Sequence, residues 1–230
     1  MARIAHITEV AENTIEIGVD DANTAFIPGQ FVELFLPTLG DGLDPRGKSR
    51  EFSITSAPNE LPLTLITRTS RSPYKEHLAS LLPGSTVAVR GPFGRFILPE
   101  SNPPDRFIFV ASGVGIAPFL SMLRSAAKRE RLLRPTMLLF KTKTRERAPY
   151  LAELEALCKT LSKFSLIVVP GEKLPTALAE LAMNKSPLGE MPRTQFYMAG
   201  GPKPMRDAYE TLRANGISPS DIFTEEFTGY

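Results

Sequence analysis

Two rhythms of apolar and polar residues divide the chain. From Arg3 to Leu98, short segments alternate in polarity: Ile4–Thr8, Thr14–Val19, Phe31–Leu36, Leu63–Thr67 and Thr86–Val89. A period of two turns one side of a segment toward a core and the other toward water, the mark of half-buried strands. Pro28-Gly29 and Pro83-Gly84 mark bends, and the Gly- and Asp-rich stretch 37–49 reads as an exposed loop. Several short strands at this spacing predict a small antiparallel β-barrel.

After Ser101-Asn102-Pro103-Pro104, read as a linker, strands alternate with helices. The expected strands are Phe107–Ala111, Thr136–Phe140, Phe164–Val169 and Gln195–Ala199; the helices lie near Phe119–Arg131, Pro149–Leu161, Thr176–Met183 and Pro204–Ala214. In the second helix Tyr150, Leu151, Leu154, Leu157, Cys158 and Leu161 share one face, as in a surface helix packed on a sheet. Such alternation predicts a doubly wound parallel sheet. The fold expected is therefore two-domain, a barrel over residues 1–100 and an α/β domain over 101–230, and 230 residues suffice for a core in each.

Charge narrows the function classes. Lys plus Arg number 27 against 25 Asp plus Glu, so no global field draws in nucleic acid or an anionic membrane. The longest charge-free run, Phe107–Leu123, contains Gly113, Gly115 and Pro118 and is shorter than a membrane span. The first twenty residues mix apolar positions with Arg3, Glu9, Glu12 and Glu16, unlike a targeting signal, and a cytoplasmic location is expected. A single cysteine, Cys158, excludes an internal disulfide and a cysteine-ligated iron–sulfur cluster, and His6 and His77 alone make no zinc site of ordinary spacing. With no nucleophile elbow, Walker loop or metalloprotease helix, any chemistry would reside in cofactors.

Three segments can hold them. Arg50-Glu51-Phe52-Ser53 is expected to offer, from a single face of one strand, a cation for a phosphate, a flat apolar wall for a ring and a hydroxyl; an edge strand with a solvated Arg and a buried Phe explains the same residues. Ser112-Gly113-Val114-Gly115-Ile116-Ala117-Pro118 follows a buried strand and opens a helix, the setting in which a glycine turn and a helix N-terminus receive a pyrophosphate, although a purely structural turn also fits. Met198-Ala199-Gly200-Gly201-Pro202 is a second strand–helix junction. Ligands of open α/β sheets sit beyond the carboxyl ends of the strands, so the two glycine turns can line one crevice.

In order, Pro28-Gly29-Gln30-Phe31, Arg50-x-Phe52-Ser53, Gly91-Pro92-Phe93-Gly94, the turn 112–118 and Gly200-Gly201-Pro202 resemble the motifs of the ferredoxin–NADP reductase superfamily of flavoprotein reductases, over essentially the whole chain. The resemblance implies NAD(P)H-dependent reduction of a bound FAD, with FMN as the lesser alternative, and single-electron transfer to or from a redox protein such as a ferredoxin, a flavodoxin or an oxygenase component. It places Arg50 at the flavin phosphate, Phe52 against the ring and Ser53 near N5, with Ile66, Thr67, Arg68, Tyr74, Lys75 and Gly91 also at the flavin. Gly113, Val114, Gly115, Pro118, Gly201 and Pro202 fall at the nicotinamide nucleotide, and Ser53, Gly200, Glu225 and Tyr230 around the transfer of the hydride.

The chain departs from the pattern at three positions. Lys75 stands where a hydroxyl is expected, Val114 where the turn has threonine, and Gly200 where a cysteine lies near the nicotinamide. At the C-terminus Tyr230 is either an aromatic cover for the flavin or part of a frayed tail. Lys143 aligns with an arginine of NADP-using relatives, and Arg145 and Lys173 are nearby cations, so NADPH is expected over NADH; a solvated basic loop is the other reading of this run. A reductase of free flavin and a non-catalytic flavin-binding subunit of an electron-transfer complex are the alternatives, the missing cysteine being the hint for the second.

Overall fold

A computed structural model describes residues 1–20, 24–69, 72–129, 134–183 and 192–228. They form two compact units: Met1–Ile97 with Ala117–Ser125, and Leu98–Ile116 with the residues from Ala126 onward. The first unit thus takes a stretch of helix that a division at residue 100 assigns to the second.

The first unit is an antiparallel sheet of β1 (Ala2–Ala11), β2 (Thr14–Asp20), β3 (Phe31–Phe35), β4 (Ser49–Ser53), β5 (Leu63–Arg68) and β6 (Thr86–Phe93). Its six strands run in the order β4-β3-β6-β1-β2-β5. The sheet curls into the predicted barrel, its two outer strands meeting at one corner, where Ile54 bridges Leu65 and the Thr55 amide donates to the Thr64 carbonyl at 2.9 Å. Alternation fills the interior with Ile17, Val32, Leu34, Leu65 and Val87, all fully buried, each side chain contributing about 1.5–3 kcal/mol of burial.

Helix α1 (Pro73–Ser80) is not foreshadowed by periodicity, because eight residues carry little more than Tyr74 and Leu78 as an inward pair. Its signature is at the start: Ser72 caps the helix by accepting from the Lys75 amide, and Pro73 occupies the first turn, where its missing N–H costs nothing.

After helix α2 (Ala117–Lys128), most of which belongs to the first unit, come α3 (Leu151–Thr160), α4 (Leu174–Ala182) and α5 (Pro202–Ala214) of the second unit, whose strands are β7 (Arg106–Ser112), β8 (Thr136–Thr142), β9 (Phe164–Pro170), β10 (Thr194–Gly200) and β11 (Ile222–Glu226). All strand pairs are parallel, in the order β11-β10-β7-β8-β9. The chain winds outward from β7 to β9 and then returns to the other side of β7, which makes the carboxyl ends of β7 and β10 the switch point where such sheets bind ligands. The four strands and four helices expected here all form. Strand β11 is the addition: residues 222–226, within a segment read as tail, pair with β10, Glu225 standing opposite Ala199. Among the described residues no helix is long and apolar enough to cross a membrane.

Candidate functional site

In the first unit, β4 and the N-terminus of α1 gather cations around a buried aromatic. Arg50 is only 9% exposed. Its Nη1 donates to the carbonyls of Arg46 (3.0 Å), Gly47 (3.1 Å) and Ser49 (2.6 Å), and its guanidinium lies 4.7 Å from the centroid of the Tyr74 ring. Nη2 approaches Asp44 Oδ1 to 2.6 Å, an ion pair by distance, yet Nη2 is buried without a partner in hydrogen-bonding geometry. A buried N–H left unspent beside a cluster of cations suits an anion.

The cluster includes Lys75, which is 6% exposed. Burial, helped by the charges of Arg46, Arg50 and Arg68, pushes its ammonium down to about 8. Like charges held this close are unfavourable alone and become favourable around a diphosphate, so the donor set of Arg50, Lys75, Arg46 and Arg68 fits the pyrophosphate of a flavin dinucleotide. Asp44 and Arg46 were not among the residues expected here. Their loop, read as merely exposed, buries Asp44, whose Oδ1 accepts the Arg46 amide at 2.8 Å; Asp-Pro-Arg-Gly is a turn signal that could have pointed to this local bond.

The other residues expected at the flavin lie on β4, β5, β6 and α1. Tyr74 has no exposed surface; its hydroxyl donates to the Leu34 carbonyl at 2.8 Å, burial pushes its ionisation up, and its ring lies against the Arg50 guanidinium. Phe52 stacks on Tyr74, with ring centroids 6.3 Å apart, and joins the barrel core. Ser53 follows Phe52 directly on β4, and successive strand residues point to opposite faces, so Arg50 and Phe52 share a face that Ser53 does not. Ile66 and Thr67 are buried and Arg68 is exposed at the end of β5. Gly91, in β6, has φ +134°, and a Cβ there would lie 3.3 Å from the Phe31 carbonyl, a packing reason for glycine at that turn.

In the second unit the two glycine segments meet at the switch point. A Cβ on Gly115 would lie 2.0 Å from the Ala199 carbonyl oxygen and 2.8 Å from Gly200 Cα, so the turn after β7 touches the end of β10 through bare backbone. Gly113 is glycine for another reason: its φ is +59° with open space around it. Val114 is buried, and Pro118 sits in the first turn of α2, where no intrahelical bond is lost. Gly201 precedes α5, and Pro202 opens it. At the start of α5, Pro202 and Pro204 carry no N–H and the Met205 amide donates to the Gly201 carbonyl at 3.3 Å, which leaves the Lys203 amide without an intrahelical acceptor in the first turn, where it can meet a phosphate.

Gly200 is built as glycine. Its φ is +153°, and a Cβ would meet Ser112 Cβ at 3.0 Å and the Ser112 carbonyl at 3.1 Å, so a cysteine here is strained. The Gly200 carbonyl accepts the Phe227 amide at 2.8 Å, which ties the segment after β11 to the end of β10. Glu225 is thus part of a strand; Tyr230 lies outside the described residues. Beyond β8, Lys143 is exposed, and Arg145 is ion-paired with Glu155 on α3.

Comparison with known proteins places these features. Residues 109–211 match the family described as oxidoreductase NAD-binding domain. The toluate 1,2-dioxygenase electron transfer component of Pseudomonas putida is 27% identical, over 98% of this chain and 67% of its own length. Ferredoxin–NADP reductase B of Sorangium cellulosum is 36% identical over 58% of this chain and 53% of its own length. A crystal structure of a ferredoxin NADP+ reductase from Neisseria gonorrhoeae with bound FAD and NADP has the same fold, with a TM-score of 0.81 at 21% identity, covering 98% of this chain and 97% of the other. The chain is thus similar along its length to an oxygenase electron transfer component and shares the fold of a ferredoxin NADP+ reductase, and its residues 109–211 match the NAD-binding domain family. It spans 53% to 67% of the lengths of the two curated relatives.

Proposed function

We propose that this chain is an NAD(P)H-dependent reductase that binds FAD in the barrel, residues 1–100, and the nicotinamide nucleotide in the α/β domain, residues 101–230, and exchanges single electrons with a redox protein such as a ferredoxin, a flavodoxin or an oxygenase component. The observation that carries this reading is the buried, partly unspent guanidinium of Arg50 beside Lys75. When bound, FAD supplies acceptance of a hydride as two electrons and their release one at a time. The protein's share is binding and placement. Arg50 and Lys75 neutralise the flavin phosphates, the turn 113–116 admits the nucleotide pyrophosphate to backbone at Gly113 and Gly115, and the Lys203 amide at the start of α5 receives its charge.

The purified, desalted protein should retain a flavin absorption band and oxidise NADPH with an artificial electron acceptor. A folded but colourless protein that reduces added flavin would make flavin a substrate, and a flavin-bound protein that oxidises neither nucleotide would make the chain a binding subunit.

NADPH is the preferred nucleotide in this reading, through the exposed Lys143. Lys143→Ala with Arg145→Ala should weaken NADPH about tenfold more than NADH, a difference of about 1.4 kcal/mol. Removing Arg145 also frees the Glu155 carboxylate, whose charge opposes a 2′-phosphate. Equal losses for both nucleotides, read from their KM values, would refute recognition of the 2′-phosphate by this loop.

Lys75 makes flavin binding pH-dependent. Its folded value of about 8 lies below the ordinary 10.5, so the unfolded chain holds the proton more tightly. The cost of burying the ammonium is full below pH 8 and is relieved as pH rises from about 8 to 10.5 in the flavin-free protein. Flavin affinity should run the other way, level to about pH 7 and falling above 8, with proton uptake on binding near pH 8. Titration of flavin fluorescence across pH 6.5–9.5 tests this, and Lys75→Met should flatten the profile.

A further inference from the structure

Arg50 is held from three sides, and one of them plays no part in the reading above. Nη1 is spent on the carbonyls of Arg46, Gly47 and Ser49, and the Tyr74 ring lies against the guanidinium. The third side is Asp44. Its Oδ1 stands 2.6 Å from Nη2 and accepts the Arg46 amide at 2.8 Å, while Oδ2 accepts the Tyr74 amide at 3.0 Å. One buried carboxylate thus joins the loop before β4, the β4 arginine and the first turn of α1.

We propose that Asp44 is a positioning residue of the flavin site: its ion pair with Arg50, anchored on the amides of Arg46 and Tyr74, fixes the guanidinium so that the unspent N–H of Nη2 is presented to a flavin phosphate. The inference rests on the flavin reading above. Three arguments support it. A buried arginine beside Lys75 and near Arg46 and Arg68 would be driven outward by like charge, and the Asp44 carboxylate counters this at contact distance. The carboxylate is preorganised, because its loop is itself closed: the Gly47 amide donates to the Asp44 carbonyl at 2.9 Å and the Leu36 amide to the Lys48 carbonyl at 2.9 Å. Burial alone would raise the Asp44 carboxyl, but the amides of Arg46 and Tyr74 and the charge of Arg50 outweigh it and hold the group below the usual range, so Asp44 stays anionic at neutral pH.

A double-mutant cycle on flavin affinity in the full chain tests this. Wild type, Asp44→Asn, Arg50→Gln and the double variant are stripped of flavin and titrated with FAD, by flavin fluorescence, with melting temperature recorded in parallel. Asp44→Asn keeps an oxygen for the amides but loses the charge, and it should weaken FAD about tenfold. The double variant should bind FAD no more weakly than Arg50→Gln alone, because Asp44 acts through Arg50. Asp44→Glu, which restores the charge, should recover affinity to within about threefold of wild type. Independent, multiplying losses would reduce Asp44 to a structural tie and overturn the proposal, as would unchanged affinity in Asp44→Asn. Should Asp44→Asn fail to fold, the same cycle run with Asp44→Glu decides, since a longer arm matters to FAD only while Arg50 is present. A wild-type protein that binds no flavin would overturn the flavin reading itself, an outcome distinct from wild-type binding with independent losses.

Discussion

Gly115→Ala is expected to abolish nucleotide binding and to destabilise the α/β unit by more than about 3 kcal/mol, because the added methyl would lie 2.0 Å from the Ala199 carbonyl oxygen and neither atom belongs to a side chain that can turn away. The turn after β7 and the end of β10 would have to part, and their parting opens the switch point. Gly113→Ala, two residues away, is the control. It meets nothing within 4 Å and carries only the conformational cost of a φ of +59°, about 1 kcal/mol. Calorimetric titration of both variants with NADP+, alongside thermal melts, would separate the two. Equal behaviour would mean that close approach between the strand ends is not what the turn requires.

Arg50→Ala carries the second large effect. Charged hydrogen bonds of this kind are worth about 1.5–3 kcal/mol, so flavin affinity should fall about ten- to hundredfold. Stability should fall as well, because Asp44 keeps its two amides but loses its counter-ion in a buried place, and breaking such pairs costs about 3–5 kcal/mol. Adding Asp44→Asn to Arg50→Ala should return part of the melting temperature without returning flavin affinity. Affinity unchanged in Arg50→Ala would remove the phosphate from this place.

Most of the architecture is legible in polarity alone. Period-two segments became the barrel because burial of one face decides the backbone there, whereas the parallel sheet was legible in continuous apolar runs such as Phe107–Ala111, buried on both faces and separated by amphipathic helices. What periodicity missed is short or local. Helix α1 buries mainly Tyr74, Lys75 and Leu78, and only its Ser72 cap and Pro73 announce it. Strand β11 has Ile222 alone well buried, so its five residues carry no rhythm. The same limit applies to the candidate site. Arg50, Gly113 and Gly115 could be read as chemistry from their types and neighbours, but Asp44 acts through a contact with α1 thirty residues away in the chain, and nothing in its own neighbourhood predicts a buried carboxylate. The departure at Gly200 was visible as a missing side chain. That the backbone there resists any side chain was not.

Helix α2 bears on how the two halves could be separated or exchanged. Its Ser121 hydroxyl donates to the Ser56 carbonyl at 2.7 Å, Arg124 reaches the Thr55 carbonyl at 3.2 Å, and Phe119 packs edge-on against Phe96. A barrel cut free after residue 100 would leave those carbonyls and that ring bare, so a chimera that grafts this barrel onto a foreign nucleotide half inherits a requirement at these three positions. The unit of exchange is the barrel plus residues 117–125, a module discontinuous in the gene although continuous in space.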